Sequence, residues 1–444
     1  MARQYFGTDG VRGTVGRDPM TADFTMRLAS AAAQVLVPKG GTVVIGKDTR
    51  LSGYMLESAL EAGFVAAGAN VLLIGPLPTP GIARLTQEFD ADLGVVISAS
   101  HNPFFDNGIK FFNKAGSKLT DDVEQAIEEH LKEPAITLES GLLGKAKRID
   151  TARIRYQEFC ISTMPEGVNL EGLKVVFDGA NGASYKVGPR TLAELGAQVI
   201  PIGCSPNGKN INDGCGSTQP ELLKSTVPAV EANVGVALDG DGDRILLVDE
   251  NGDSVDGDQL LYILATARAD EGHLRGPVVG TVMSNLGLEH ALREKDIDFR
   301  RAKVGDRYVL ETLRATGGVI GGETSGHMLV LDKATTGDGL VSALQILAIM
   351  KQTGKKLSEL AAGMPKYPQT MLNVRTETRM NPDESEQIQA AVKAAESELS
   401  DRGRVVLRAS GTEPVIRVMV EGVDAEQVSS MARRLAAVVE DAAA

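Results

Sequence analysis

Tryptophan is absent from this 444-residue chain, and phenylalanine and tyrosine bring the aromatic share to only 4%. A protein so poor in rings has few platforms on which to stack nucleobases. Basic residues are in deficit too. Lys and Arg number 46 against 59 Asp and Glu, a formal net charge of −13, which argues against nucleic acid or an anionic membrane as the main partner. Cysteine is scarce: Cys160, Cys204 and Cys215 form neither a Cys-x-x-Cys pair nor a zinc spacing, and an odd count does not make a disulfide framework. Unpaired thiols in a reducing compartment are expected. No apolar run reaches the roughly 18 residues that span a bilayer. The chain enters a glycine-bearing motif at Tyr5-Phe6-Gly7, leaving no room for a signal peptide, so the expected location is the cytoplasm. Two nucleophile or phosphate motifs are also missing. Without Gly-x-Ser-x-Gly there is no α/β-hydrolase elbow, and without Gly-x-x-x-x-Gly-Lys-Ser/Thr no P-loop.

What is there is a mix of 43% hydrophobic and 24% charged residues, typical of a globular protein. A chain this long exceeds one core and predicts three or four domains of about 100–150 residues. Strand and helix patterns alternate, the sign of α/β layers. One unit recurs three times: a short apolar strand, a helical stretch, then a second strand. The copies begin at residues 42–46, 174–179 and 277–280. Each is followed by another apolar run, at 93–98, 234–238 and 318–320, that breaks into a polar loop. If the copies share a topology, those loops leave equivalent strands at their carboxyl ends, the edge where open α/β sheets bind ligands. After residue 366 the pattern changes to strand, charged helix, two strands and a closing helix, a separate α+β module. The expected divisions are 1–153, 154–254, 255–368 and 369–444.

Six loops carry chemistry. Ser100, in Ser98-Ala99-Ser100-His101-Asn102-Pro103, follows a buried strand and precedes Lys110. Alone it reads more readily as a turn with a capping serine. Asp239-Gly240-Asp241-Gly242-Asp243-Arg244 puts three carboxylates at alternate positions, and hard oxygen ligands that repel one another suit Mg²⁺. The same aspartates with Glu250 fit some positions of a calcium loop, but Arg244 stands where that loop needs glycine. Gly322-Glu323-Thr324-Ser325-Gly326-His327 offers a carboxylate, two hydroxyls and an imidazole suited to sugar hydroxyls. Arg408-Ala409-Ser410-Gly411-Thr412, with Arg417, resembles a nest for a dianionic phosphate. Finally, Gly7 to Gly13 and Gly46 to Arg50 add two basic, glycine-loosened turns. Arg12 is placed to reach a phosphoryl group, and Asp48 to cap the following helix.

Taken in order, these loops resemble the four marks of the α-D-phosphohexomutase superfamily: Ser-His-Asn-Pro, Asp-Gly-Asp-Gly-Asp-Arg, Gly-Glu-x-Ser-Gly-His and Arg-x-Ser-Gly-Thr. The resemblance covers nearly the whole chain. It implies four domains around a central cleft, three of them related α/β domains with mixed sheets and the last a smaller α+β domain. It also implies phosphate on Ser100, Mg²⁺ held by Ser100, Asp239, Asp241 and Asp243, and a sugar 1,6-bisphosphate intermediate. Lys110 is then the candidate for handling protons, with His101 a weaker one and Arg12 near the moving phosphoryl. Arg244, Glu323, Ser325 and His327, with Arg408, Ser410, Gly411, Thr412 and Arg417, would hold the substrate. Residues 5–13, 210–218 and 335–339 are most similar to the branch that interconverts glucosamine 6-phosphate and glucosamine 1-phosphate for amino-sugar and peptidoglycan precursors. Mannose or glucose phosphates are the alternative, and a phosphosugar-binding protein without activity a distant one. Thr324 departs from that branch, where glutamine is common, as does Ala409, where lysine is frequent. A homodimer is the one assembly kept in view.

Overall fold

The computed structural model describes residues 4–7, 9–377, 380–409 and 414–443. Its strands form four sheets that follow one another along the chain. The first holds β1 (Phe6–Gly7), β2 (Gly10–Thr14), β3 (Thr42–Lys47), β4 (Asn70–Pro76), β5 (Leu93–Ile97), β6 (Asp106–Asn113) and β7 (Ala146–Arg148), in the order β1-β2-β6-β5-β3-β4-β7. The second holds β8 (Lys174–Asp178), β9 (Gln198–Ile202), β10 (Val234–Leu238), β11 (Ile245–Val248) and β12 (Ser254–Val255), in the order β12-β11-β10-β8-β9. The third holds β13 (Val278–Thr281), β14 (Phe299–Ala302), β15 (Ile320–Gly322) and β16 (Met328–Val330), in the order β14-β13-β15-β16. The fourth is an antiparallel trio, β17 (Gln369–Arg375), β18 (Gly403–Ala409) and β19 (Val415–Gly422), with β19 in the middle.

The threefold repeat is present strand for strand. In each copy the first strand is flanked by two parallel neighbours, and the last of these turns back into an antiparallel partner. The runs are β6-β5-β3-β4, β11-β10-β8-β9 and β16-β15-β13-β14. Mixed sheets follow from that last reversal. Central strands such as β5 (LGVVI) and β10 (VGVAL) are buried throughout, which is why they read as unbroken apolar runs rather than alternating ones. The third copy differs from the expected pattern. Gly321 and Gly322 belong to β15 rather than to the loop after it, because a side chain at Gly321 would strike the β13 backbone.

The first three sheets are welded together. One core runs from Val44 and Ile82 of the first, through Tyr156, Phe177 and Leu238, to Ile320 and Leu344 of the third. At its centre the Tyr156 hydroxyl meets both carboxylate oxygens of Asp338, at 3.0 and 2.9 Å. The fourth sheet instead packs its own core, Val418 and Val420 against Ile388, Met431 and Leu435 of helices Glu386–Leu399 and Ala425–Ala443. Among the described residues no helix is long and apolar enough to cross a membrane.

Candidate active site

The repeat decides where the chemistry gathers. The loops after β5, β10 and β15 leave equivalent strands at their carboxyl ends and meet around one cleft of about 790 Å³. Gly7, Asp9, Arg12, Ser100, Arg244, Glu323, His327 and Arg408 all line it, so residues spread over the whole chain converge there.

Ser100 is held unusually firmly. Its backbone takes the left-handed conformation (φ 53°), which costs a non-glycine residue about 1–3 kcal/mol unless its surroundings impose it. Here they do. The Ser100 N–H donates to Ser98 Oγ (2.9 Å), while its carbonyl accepts from Arg50 and from Asn212 Nδ2, each at 2.9 Å. Gly240 passes so close that a Cβ there would lie 2.6 Å from the Ser100 carbonyl oxygen. The side chain is left free for chemistry: Ser100 Oγ donates to Asp239 Oδ2 at 2.6 Å.

Arg50 organises this loop from beneath, a role its sequence position did not suggest. Its side chain is fully buried and donates to the carbonyls of Ser100, Asn102 (2.8 Å), Pro103 and Asp106 (3.0 Å). Its Nε donates to Asp48 Oδ2 at 2.8 Å, an oxygen that also accepts from the Ser98 hydroxyl at 2.6 Å. This basic turn is therefore a scaffold. Asp48 caps no helix; it pairs with Arg50, and Ser52 stands before helix Gly53–Ala66.

The three aspartates are buried, and one ligand oxygen from each lies within 4.8 Å of the others. The loop is a turn rather than the extended segment expected, and Gly242 at φ 73° bends it so that the carboxylates converge. Burial first, then Asp243 and Asp241, drive the Asp239 carboxyl well above the ordinary carboxylate range. Burial works against Asp243 ionisation as well, but Lys110 and His327 outweigh it and hold that carboxyl low. Asp241 Oδ2 accepts from Thr79 (2.6 Å) and Lys110 (2.9 Å), while its buried Oδ1 has no hydrogen-bond partner. An unpartnered carboxylate oxygen and a crowded, proton-holding neighbour fit a divalent cation.

Lys110 Nζ sits 2.9 Å from Asp241, 2.9 Å from Asp9 and 3.7 Å from Asp243. Burial alone would lower its pKa, yet these carboxylates prevail and keep it well above the ordinary lysine value. It is therefore an ammonium that holds its proton, a fixed positive charge rather than a base. His101 Nδ1 lies 3.4 Å from Ser100 Oγ and 3.2 Å from Arg244. Burial, then Arg244 and Arg12, push its pKa down. Arg12 itself reaches Asp9 at 2.5 Å on the cleft wall.

In the third loop only Glu323 and His327 line the cleft. Glu323 Oε1 accepts the Gly305 N–H (2.9 Å), and Ser325 lies on the exposed tip. His327 stands between Asp243 (3.7 Å) and Asp306 (3.4 Å). Burial opposes its charge, but those carboxylates raise its pKa to about 9. The loop is laced to its metal-loop neighbour, since Ile245 N–H donates to Gly326 O (3.0 Å); at φ 88° and with a Cβ 1.9 Å from Ile245 O, position 326 admits only glycine.

Across the cleft, Arg408 on β18 and Arg417 on β19 face each other directly in register. Opposed like charges on a sheet repel, and an anion between them removes the penalty. Ser410, Gly411 and Thr412 lie outside the described residues.

Sequence reasoning missed Asp9, Lys118, Asp121, Asp306 and Arg307, which also line the cleft. Lys118 Nζ bridges Asp9 (2.6 Å) and Asp306 (2.5 Å), and Arg307 pairs with Asp121. Gly305, at φ 124° just before helix Asp306–Thr316, was the one visible signal.

Four family models match in order: phosphoglucomutase/phosphomannomutase alpha/beta/alpha domain I at residues 3–136, domain II at 155–252, domain III at 256–367, and the C-terminal domain at 371–438. A phosphoglucosamine mutase of Thioalkalivibrio sulfidiphilus is 56% identical over 447 residues, spanning 100% of this chain and 99% of its own. One from Aeromonas hydrophila is 56% identical over 443 residues, covering all of both chains. A solved putative phosphomannomutase from Thermus thermophilus superposes with a TM-score of 0.79 at 25% identity, covering 98% of each chain. The N-acetylphosphoglucosamine mutase of Aspergillus fumigatus, solved with GlcNAc-6P and magnesium, shares the fold at a TM-score of 0.70 and 16% identity, over 99% of this chain and 96% of its own.

Proposed function

The chain belongs to the phosphoglucomutase/phosphomannomutase family, and we propose that it works as a phosphoglucosamine mutase, interconverting glucosamine 6-phosphate and glucosamine 1-phosphate through a phosphorylated Ser100. The observation that carries this is the Ser100 hydroxyl, 2.6 Å from a buried aspartate triad and open to a cleft whose far wall is Arg408. The sugar rests on the full-length likeness to the two bacterial relatives.

Phospho-Ser100 gives its phosphoryl group to the anomeric hydroxyl of glucosamine 6-phosphate. The new O–P bond forms as the bond to Ser100 Oγ breaks, and the proton of the attacking hydroxyl ends on the released Ser100 oxygen, leaving a 1,6-bisphosphate and a free Ser100 hydroxyl. That intermediate turns end for end in the cleft. Its 6-phosphoryl group then returns to Ser100, and glucosamine 1-phosphate departs. Such transfers depend chiefly on positioning and on neutralising charge on the moving group. Arg12 and Arg244 face that group, and Lys110 adds a fixed positive charge beside Asp241 and Asp243. Asp239, Asp241 and Asp243 would hold Mg²⁺ beside the phosphoserine, where the ion supplies Lewis-acid stabilisation of phosphoryl oxygens. Arg408 and Arg417 grip the phosphate that is not reacting, and Glu323 orients sugar hydroxyls in either direction.

Turnover measured side by side with glucosamine, mannose and glucose 6-phosphates tests the assignment. Glucosamine 6-phosphate should give the highest kcat/KM; a preference for either neutral hexose would overturn it. Replacing Arg408 with alanine removes a charge-assisted contact to phosphate and should raise KM roughly tenfold to a hundredfold with less change in kcat. An unchanged KM would move the phosphate site elsewhere.

A further inference from the structure

Thr324, the departure within the sugar loop, turns its side chain away from the cleft. Its hydroxyl donates to Asp258 Oδ2 at 2.8 Å. Asp258 is fully buried in the first turn of helix Gly257–Asp270, and the same oxygen accepts the Asn285 N–H at 2.9 Å. Asn285 precedes helix Leu286–Arg293 and clasps the backbone of Tyr367 at both ends. Its Nδ2 donates to Tyr367 O and its Oδ1 accepts from Tyr367 N, each at 3.0 Å. Tyr367 lies in the segment that leads into β17 and the fourth domain. Beside it, Lys366 pairs with Asp256 at the start of the Asp258 helix. One residue before Asn285, the Ser284 carbonyl accepts from Arg404 of the fourth domain at 2.7 Å, and Arg404 pairs with buried Glu421.

We propose that Asp258 is a positioning residue for the transfer reaction: with Thr324 and Asn285 it ties the sugar loop to the linker of the fourth domain. The reasoning is mechanical. One ligand must be gripped at the same time by Glu323 and by Arg408 and Arg417, which stand on domains with separate cores. A single covalent linker leaves their spacing soft, since each linker residue has two free torsions. A buried carboxylate shared by two donors stiffens it, because parting either donor leaves buried polar groups unpaired. Asp258 Oδ1 has no hydrogen-bond partner, so its hydrogen bonds run through the one shared oxygen.

The inference rests on the sugar-loop reading above, and hydrogen exchange tests it without turnover. In the intact protein, Thr324→Val should speed exchange of peptides covering 284–286 and 365–368, well beyond the loop. Thr324→Ser, which keeps the hydroxyl, should match wild type. Coupling is reciprocal, so Asn285→Ala should speed exchange at 322–327. In kinetics Thr324→Val should lose about tenfold in kcat/KM, mainly through KM, and Thr324→Ser should restore it to within about twofold. Exchange changes confined to 322–327, equal behaviour of the two Thr324 variants, or a uniform speeding across the third domain would each overturn the proposal. If no hexose phosphate turns over at all, the proposed function falls while the exchange result still stands or fails on its own.

Discussion

Ser100→Ala should lower kcat by roughly 10⁴-fold or more while sugar-phosphate binding survives. The loss follows from what Ser100 alone supplies. It offers the only oxygen that is both bonded to Asp239 and exposed to the cleft on this loop. The residues proposed to hold the ligand, Arg408, Arg417 and Glu323, stand on other elements and are untouched by the change. Alanine also fits the site without disturbing it, because the Ser100 N–H and carbonyl make the backbone bonds that fix the loop. Intact mass should show one phosphoryl group on the active protein, mapping to the Ser100 peptide, and none on the variant. Wild-type turnover by a variant free of contaminating enzyme would end the phosphoserine reading.

The second large effect is on stability. Arg50→Met should destabilise the first domain by roughly 3–5 kcal/mol, the usual cost of breaking a buried ion pair from one side. Two losses combine. Asp48 keeps its Ser98 and backbone donors but loses its counter-charge, and burial already pushes its pKa upward. In addition the carbonyls of Ser100, Asn102, Pro103 and Asp106 each lose the guanidinium donor, and Ser100 and Asn102 are left with Asn212 alone. Adding Asp48→Leu should recover part of the stability, since it removes the stranded charge, but not the activity, since the loop still lacks its support. Urea unfolding of the single and double variants, read alongside turnover, measures both. An Arg50→Met protein that unfolds like wild type would show that the buried guanidinium carries little of the loop.

Much of this architecture was legible because it is periodic. The strand-helix-strand unit announces itself three times through local apolar runs, and the loops that follow it had to share one edge once the topology was shared. The four motifs were equally plain, since each packs its reactive side chains within a few residues. What stayed hidden was decided by tertiary placement. Arg50 read only as part of a basic, glycine-loosened turn, and only folding put it under Ser100. Lys118 and Asp306 are nearly 190 residues apart, and nothing local marks either as a partner of the other. His327 read as a sugar ligand from its loop, yet packing places it between two carboxylates. Thr324 looked like a blemish in a motif until Asp258 supplied its partner.

The separate core beneath the fourth sheet also bears on how the protein comes apart. The first three sheets share one apolar interior, so none can lose its packing without exposing the others, and they should melt as a unit. The fourth joins them through a linker and a few polar latches, so its melting is only loosely bound to theirs. Two cooperative blocks so loosely coupled should unfold in separate transitions, so a melting temperature or unfolding free energy belongs to one block or the other rather than to the whole molecule.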